Sequence, residues 1–328
     1  MVASTIALAA AGTTIDAAAY GQPADPVASI GCEAPTPPPG EATLDFAAAG
    51  KAGNYIRDIP PGADRPLALV LNLHGYLEPA AIARYGSGLA EFGQRHGYLT
   101  VTPQLIEPGF PRWDFGEGST DIAYLSELIT HLESTLCVDP RRIYVAGLSM
   151  GAFTTSSLAC QLADRVAAIA AVAGLQDFTW CRPDRPVPVI AFHGTADPIV
   201  AYTGGLGPQA RLLPSSDGSG SAGQPRQDGP VTNGPGLQSI PDNAAAWARR
   251  NGCESDPAQQ QLAVDVIVSS YPCPANGSVR LYTIVGGGHI WPGSTSLLYP
   301  TALVGDNTNS LDTNQLIWDF FQAHPLRG

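Results

Sequence analysis

The chain has 328 residues, 44% of them hydrophobic and 14% charged, with a net charge of −12. That supplies a full apolar core and excludes a disordered chain, and the scarcity of Lys and Arg excludes a surface that tracks nucleic-acid phosphates. The six cysteines, an even number with no C-x-x-C pair and no zinc-ligand spacing, point to disulfides and an oxidising compartment rather than to a metal site.

Residues 3–12 are apolar and are followed by Ala17, Ala18 and Ala19, as in a secretory leader that lacks its basic start. The expected location is therefore outside the cell. No stretch reaches the roughly 18 apolar residues that a membrane-spanning helix needs. Residues 1–40 read as a leader remnant and an extended Pro-rich arm pinned by Cys32. Residues 41–328 read as one domain, with no repeat and no second core, and with a flexible Gly/Ser/Pro-rich insertion at 204–236. A monomer is expected.

Strands are expected at 43–46 and 54–59, pairing as an antiparallel edge, and at 67–73, a continuous apolar run. Residues 79–96 read as one helix closed by Gly97, and 99–103 as the next strand. After an irregular loop at 104–120, Asp121 is the expected N-cap of a helix at 122–136, whose apolar positions recur at helical spacing. Residues 143–146 are a short apolar strand leading into a further helix. Strands at 167–173 and 187–192, a helix at 241–251, strands at 263–270 and 279–285 and a closing helix at 313–323 complete the order. Such alternation predicts an α/β fold with a mostly parallel central sheet and helices on both faces.

Between the 143–146 strand and the helix after it lies Gly147-Leu-Ser-Met-Gly151, a nucleophile-elbow pattern. The flanking glycines make room for a sharp turn that lifts the Ser149 hydroxyl above the sheet. A serine hydroxyl is a weak nucleophile until a base takes its proton, and the base needs an acid to fix its tautomer. The acid and then the histidine should follow Ser149, each just past a later strand. Asp197 meets this in Phe192-His-Gly-Thr-Ala-Asp-Pro198. Asp177 and Asp184 are its rivals, and an Asx turn before Pro198 is the bland alternative. His289 meets it in Gly286-Gly-Gly-His-Ile-Trp-Pro-Gly293. His74 and His193, each before a glycine at a strand end, read as structural. Two N–H groups must also face the developing oxyanion, and the backbone N–H groups of Met150 and Tyr76 are the candidates. Trp291 and Trp113, with Tyr76, are candidates for an aromatic wall against an acyl group, the alternative being core packing.

Taken together, Leu73-His-Gly-Tyr76, the Ser149 elbow, the Asp197 segment and the His289 segment resemble the secreted polyhydroxybutyrate depolymerase and feruloyl esterase group of α/β-hydrolases, from about residue 53 onward. The resemblance implies an α/β-hydrolase sheet with Ser149, Asp197 and His289 as catalytic triad, no metal and no cofactor. It also implies a disulfide between Cys253 and Cys273; of the fifteen connectivities six cysteines allow, Cys160 with Cys181 and Cys32 with Cys137 are the expected remaining pairs. Two departures stand out. The 204–236 insertion is long, and Met150 stands where the group often has Asn. Tyr76 with Met150 is similar to the oxyanion-hole residues of cutinase-like polyester hydrolases. The expected activity is serine-dependent carboxylester hydrolysis, with an aromatic-polyester substrate as one alternative and acyl transfer to an alcohol as another.

Overall fold

A computed structural model describes residues 25–215, 238–294 and 299–327. The leader and most of the 204–236 insertion lie outside the described residues. The elements, in chain order, begin with β1 (Gly40–Ala48), β2 (Lys51–Ile59), β3 (Leu67–Leu73), α1 (Ala80–Ser87), α2 (Leu89–His96), β4 (Leu99–Leu105) and α3 (Thr120–Thr135). The central part holds β5 (Val138–Leu148), α4 (Met150–Gln161), β6 (Ala168–Val172) and β7 (Val189–Gly194). The last part holds α5 (Ile240–Arg250), β8 (Ala258–Ala263), β9 (Val266–Tyr271), β10 (Val279–Ile284), α6 (Thr301–Val304) and α7 (Thr313–Ala323).

Among the described residues the strands form one ten-stranded sheet in the order β1-β2-β4-β3-β5-β6-β7-β10-β9-β8. Strands β4 through β10 in that order are parallel, and antiparallel pairs close both ends. Burial of both faces explains why β3, Leu-Ala-Leu-Val-Leu-Asn-Leu, is apolar almost throughout and buried at every position. Its alternate residues feed two cores. Leu67, Leu69, Leu71 and Leu73 join a cluster with Leu125, Leu128 and Leu132 of α3, Leu158 of α4 and Trp247 of α5. Ala68 and Val70 join Phe92 of α2 and Ile317, Trp318 and Phe321 of α7 in the other. The helices therefore cover both faces, as the alternating pattern requires.

From β3 the chain adds β4 on one side and then returns to add β5 on the other. At such a reversal, the loops leaving the carboxyl ends of the two neighbouring strands diverge and open a crevice. The loop after β3 begins at His74 and the loop after β5 is Ser149, so topology alone brings these two segments together.

Three local expectations are corrected. The single helix at 79–96 is two helices, because Gly88 adopts a left-handed conformation (φ 64°) that ends α1 and precedes α2. Ser119, not Asp121, caps α3, its Oγ accepting the Ile122 N–H. Asp121 is instead a buried carboxylate that accepts the Asp114 N–H at 2.7 Å and pairs with Lys51 at 2.6 Å. The strand at 263–270 is a hairpin, β8 turning into β9 at Val264 and Asp265, with Val264 93% exposed at the tip. An apolar residue at a solvent-facing turn gave periodicity no reason to break the strand there.

Cys32–Cys137, Cys160–Cys181 and Cys253–Cys273 are all bonded. The first ties the arm to the entry of β5, where Ser29 also donates through Oγ to the Leu136 carbonyl and through its N–H to that of Val138. This bond joins residues 105 apart, the other two residues 21 and 20 apart. In the chain-entropy view, closing a loop of that greater length is worth on the order of 4–5 kcal/mol, against about 3 for the shorter ones. Replacing Cys32 and Cys137 together by Ala is therefore expected to lower the urea midpoint more than replacing Cys253 and Cys273 does. Equal losses would assign the effect to native packing instead.

Candidate active site

Ser149 sits between β5 and α4 with φ 59° and ψ −122°. This is a conformation that L residues rarely adopt, costing on the order of 1–3 kcal/mol. The surrounding contacts enforce it. The Ser149 N–H donates to the Val172 carbonyl of β6 at 2.9 Å, and its carbonyl accepts from Ala152 and Phe153 at the start of α4. A Cβ at Gly151 would lie 2.1 Å from the Leu73 carbonyl oxygen, and one at Gly147 would lie 2.5 Å from the Gly151 backbone. The glycines are thus required by the close passage of α4 over β3 and β5, which is what leaves Ser149 at the turn.

Asp197 follows β7 and is buried. One oxygen, Oδ1, accepts the N–H groups of Ile199 at 2.8 Å and Val200 at 2.9 Å, forming an Asx turn. The other, Oδ2, is 2.8 Å from His289 Nδ1. The Asx turn expected as the bland alternative is present, and it orients one oxygen while leaving the other facing the imidazole. Burial alone would raise the Asp197 carboxyl, but the charge of His289 and hydrogen bonds from His193 and His289 outweigh it and hold the group well below the usual carboxylate range. His289 follows β10 and is held by its N–H bond to the Val304 carbonyl and by the bond from the Gly288 N–H to that of Asp306. The rivals lie elsewhere: Asp177 pairs with Arg250, and Asp184 is exposed.

The loop after β3 meets Ser149 directly. A Cβ on Gly75 would be 3.4 Å from the Ser149 Cβ. Residues Gly75 to Glu78 form a turn closed by the Glu78 N–H and the Gly75 carbonyl at 3.3 Å, with Leu77 at φ 65°. Such a turn leaves the N–H of its second residue, Tyr76, outside its own hydrogen bond. The Tyr76 hydroxyl donates to the Pro214 carbonyl at 2.9 Å. Met150 opens α4, where the first N–H groups have no intrahelical acceptor. Among the described residues, Ser149 Oγ makes no hydrogen bond to His289.

The two indoles of the expected aromatic wall are mostly buried. Trp113 is 1% exposed and Trp291 3%, and both indoles are engaged. Trp113 Nε1 donates to the His74 carbonyl at 3.0 Å, and its ring packs on His74 at 4.6 Å. Trp291 Nε1 donates to Asn314 Oδ1 at 3.0 Å. Both brace loops of the site, and Trp291 also lines a cavity beside it. His193, expected to be structural, does bond backbone through Nε2, 2.9 Å from the Val200 carbonyl; its approach to Asp197 Oδ2 at 3.1 Å was not foreseen, although its place just before the Asp197 loop was the available signal. Sequence reasoning missed Glu78 and Tyr299, which are 221 residues apart.

His74 is fully buried, with Nδ1 facing the Gly75 carbonyl, and burial pushes it down to about 4. His324, against Phe320 and Ser278, is pushed down to about 4 in the same way. A base depressed on folding contributes stability that is full above its unfolded value near 6.5 and is lost as pH falls toward 4. At about 1.4 kcal/mol per pH unit this amounts to on the order of 3 kcal/mol for each. The urea midpoint is expected to fall steadily between pH 7 and pH 4.5, and less steeply in His324→Gln; a flat profile contradicts this.

A mostly parallel sheet covered on both faces, with a strained serine between its central strand and a helix, is the α/β-hydrolase fold. The chain has that fold, and it is similar in sequence to proteins named feruloyl esterase and polyhydroxyalkanoate depolymerase. It is 31% identical to feruloyl esterase B of Piromyces equi over 235 residues, 69% of this chain and 40% of that protein. It is 30% identical to poly(3-hydroxyalkanoate) depolymerase C of Paucimonas lemoignei over 131 residues, 36% of this chain and 30% of that protein. The chain thus spans less than half the length of either relative. No protein-family model matches it. The acetyl xylan esterase of Aspergillus awamori superposes with a TM-score of 0.54 at 14% identity, covering 76% of this chain and 94% of that one, which bears on the fold alone.

Proposed function

We propose that the protein is a secreted serine carboxylester hydrolase of the feruloyl esterase and polyhydroxyalkanoate depolymerase type, with residues 41–328 acting as one catalytic unit. The observation that carries this reading is the 2.8 Å bond between Asp197 and His289, made by two loops that leave the same end of the sheet as Ser149. Ser149 Oγ attacks the ester carbonyl carbon while His289 Nε2 takes its proton. The backbone N–H groups of Tyr76 and Met150 receive the oxyanion, as a preorganised hole requires. Collapse of the tetrahedral intermediate breaks the ester C–O bond, and the imidazolium protonates the leaving alcohol. Water then repeats the sequence on the acyl-enzyme and releases the acid. The residues of the chain suffice for this without a metal or cofactor. Three disulfides support an extracellular location. Among the described residues no helix is long and apolar enough to cross a membrane.

A fluorophosphonate probe tests the assignment: wild type is expected to be labelled and Ser149→Ala is not. Equal labelling of both would remove Ser149 from the mechanism. Rates on methyl ferulate, hydroxybutyrate oligomers, terephthalate esters and short acyl esters then rank the acyl group. Product analysis with added alcohols separates hydrolysis from acyl transfer.

A further inference from the structure

Glu78 is a carboxylate beside the site that the triad does not use. It is 5% exposed. Its Oε2 accepts the Gly75 N–H at 2.5 Å, and its Oε1 accepts the Tyr299 hydroxyl from the segment before α6. With Tyr299 it lines a cavity whose other walls include Leu148 and Ile290, the chain neighbours of Ser149 and His289. Among the described residues no Lys or Arg pairs with Glu78; the charge that would favour its ionised form is that of His289 when protonated.

Burying a carboxylate without a cation is costly. Burial pushes Glu78 up, against the opposing pull of the Tyr299 hydroxyl, the Gly75 N–H and His289. Two roles follow from the contacts. Through Gly75 N–H, the side chain adds a second bond to the turn that carries the Tyr76 N–H, already closed by the Glu78 backbone. Through space, its charge is best matched when His289 is protonated, which in a serine hydrolase occurs in the tetrahedral intermediates rather than at rest.

We propose that Glu78 is a positioning residue for ester hydrolysis, holding the oxyanion turn through Gly75 and supplying a second negative charge toward the His289 imidazolium. The inference rests on the triad assignment above. The charged and titratable groups around His289 are then Asp197 from the β7 loop, with His193 beside it, and, across the cavity that Ile290 lines, Glu78 from the β3 loop with Tyr299.

The test is the pH profile of kcat/KM for Glu78→Gln, which keeps the shape and one acceptor but removes the charge. With one anion fewer beside the general base, the acid limb is expected to move to lower pH by on the order of half a unit to one unit. The plateau of kcat is expected to fall about tenfold, with KM changed less than threefold. Tyr299→Phe, which leaves the carboxylate in place but removes its donor, is expected to move the limb in the same direction by less, and serves if the first variant does not fold. Phosphonate labelling separates the two readings. A wild type that is not labelled removes the triad assignment itself. A labelled wild type, with variants whose acid limb is unmoved, removes the role of Glu78 alone, whether or not they melt at lower temperature.

Discussion

Ser149→Ala is expected to lower kcat/KM for ester hydrolysis by on the order of 10⁵-fold with the fold intact, as loss of a nucleophile does when the rest of the machinery remains. The residual rate would come from the oxyanion donors and substrate binding. Stability should change little, because Ala at φ 59° bears the same backbone strain as Ser and the Oγ makes no hydrogen bond to His289 among the described residues. Gly151→Ala gives the contrasting result. Its Cβ would meet the Leu73 carbonyl oxygen at 2.1 Å, so α4 must move off β3, and folding as well as activity should be lost. Initial rates and thermal melts of the two variants side by side distinguish a chemical from a steric role. A Ser149→Ala enzyme within tenfold of wild type would sink the nucleophile assignment.

The fold and the Asp197–His289 pair were legible in the sequence for a shared reason. A buried parallel strand must be apolar along its length, and the glycines and polar residues that follow it mark where the backbone turns at the sheet edge. Phe192-His-Gly and Val285-Gly-Gly-Gly are such marks, so the residues just past them could be placed at one end of the sheet. What stayed hidden was set by tertiary contacts that leave no local pattern. Gly88 inside 79–96 is compatible with a continuous helix until its left-handed φ is seen. Trp113 looks like a loop aromatic until its indole is found bonded to the His74 carbonyl. Glu78 looks like an ordinary residue before a proline, because what distinguishes it is a tyrosine far along the chain.

Asp197→Asn is expected to lower kcat on the order of 10⁴-fold, and the hydrogen bonds around the side chain give the reason. Val200 presents two groups: its N–H donates to Asp197 Oδ1, as does that of Ile199, and its carbonyl accepts from His193 Nε2. An amide at position 197 must turn its oxygen toward the two N–H donors, because an NH₂ there would leave both unsatisfied. The NH₂ then occupies the place of Oδ2, facing His289 Nδ1 and His193 Nε2. Since His193 Nε2 carries the proton it gives to a carbonyl, the amide meets a donor on that side, and its remaining use is to donate to His289 Nδ1. That bond holds the proton of His289 on Nε2, the nitrogen that must be bare to receive the proton of Ser149. The loss should therefore appear in kcat and in the phosphonate labelling rate together, with KM nearly unchanged and the melting temperature lowered by the clash with His193. A kcat within tenfold of wild type would mean that Asp197 anchors its own turn and does not set the tautomer of His289.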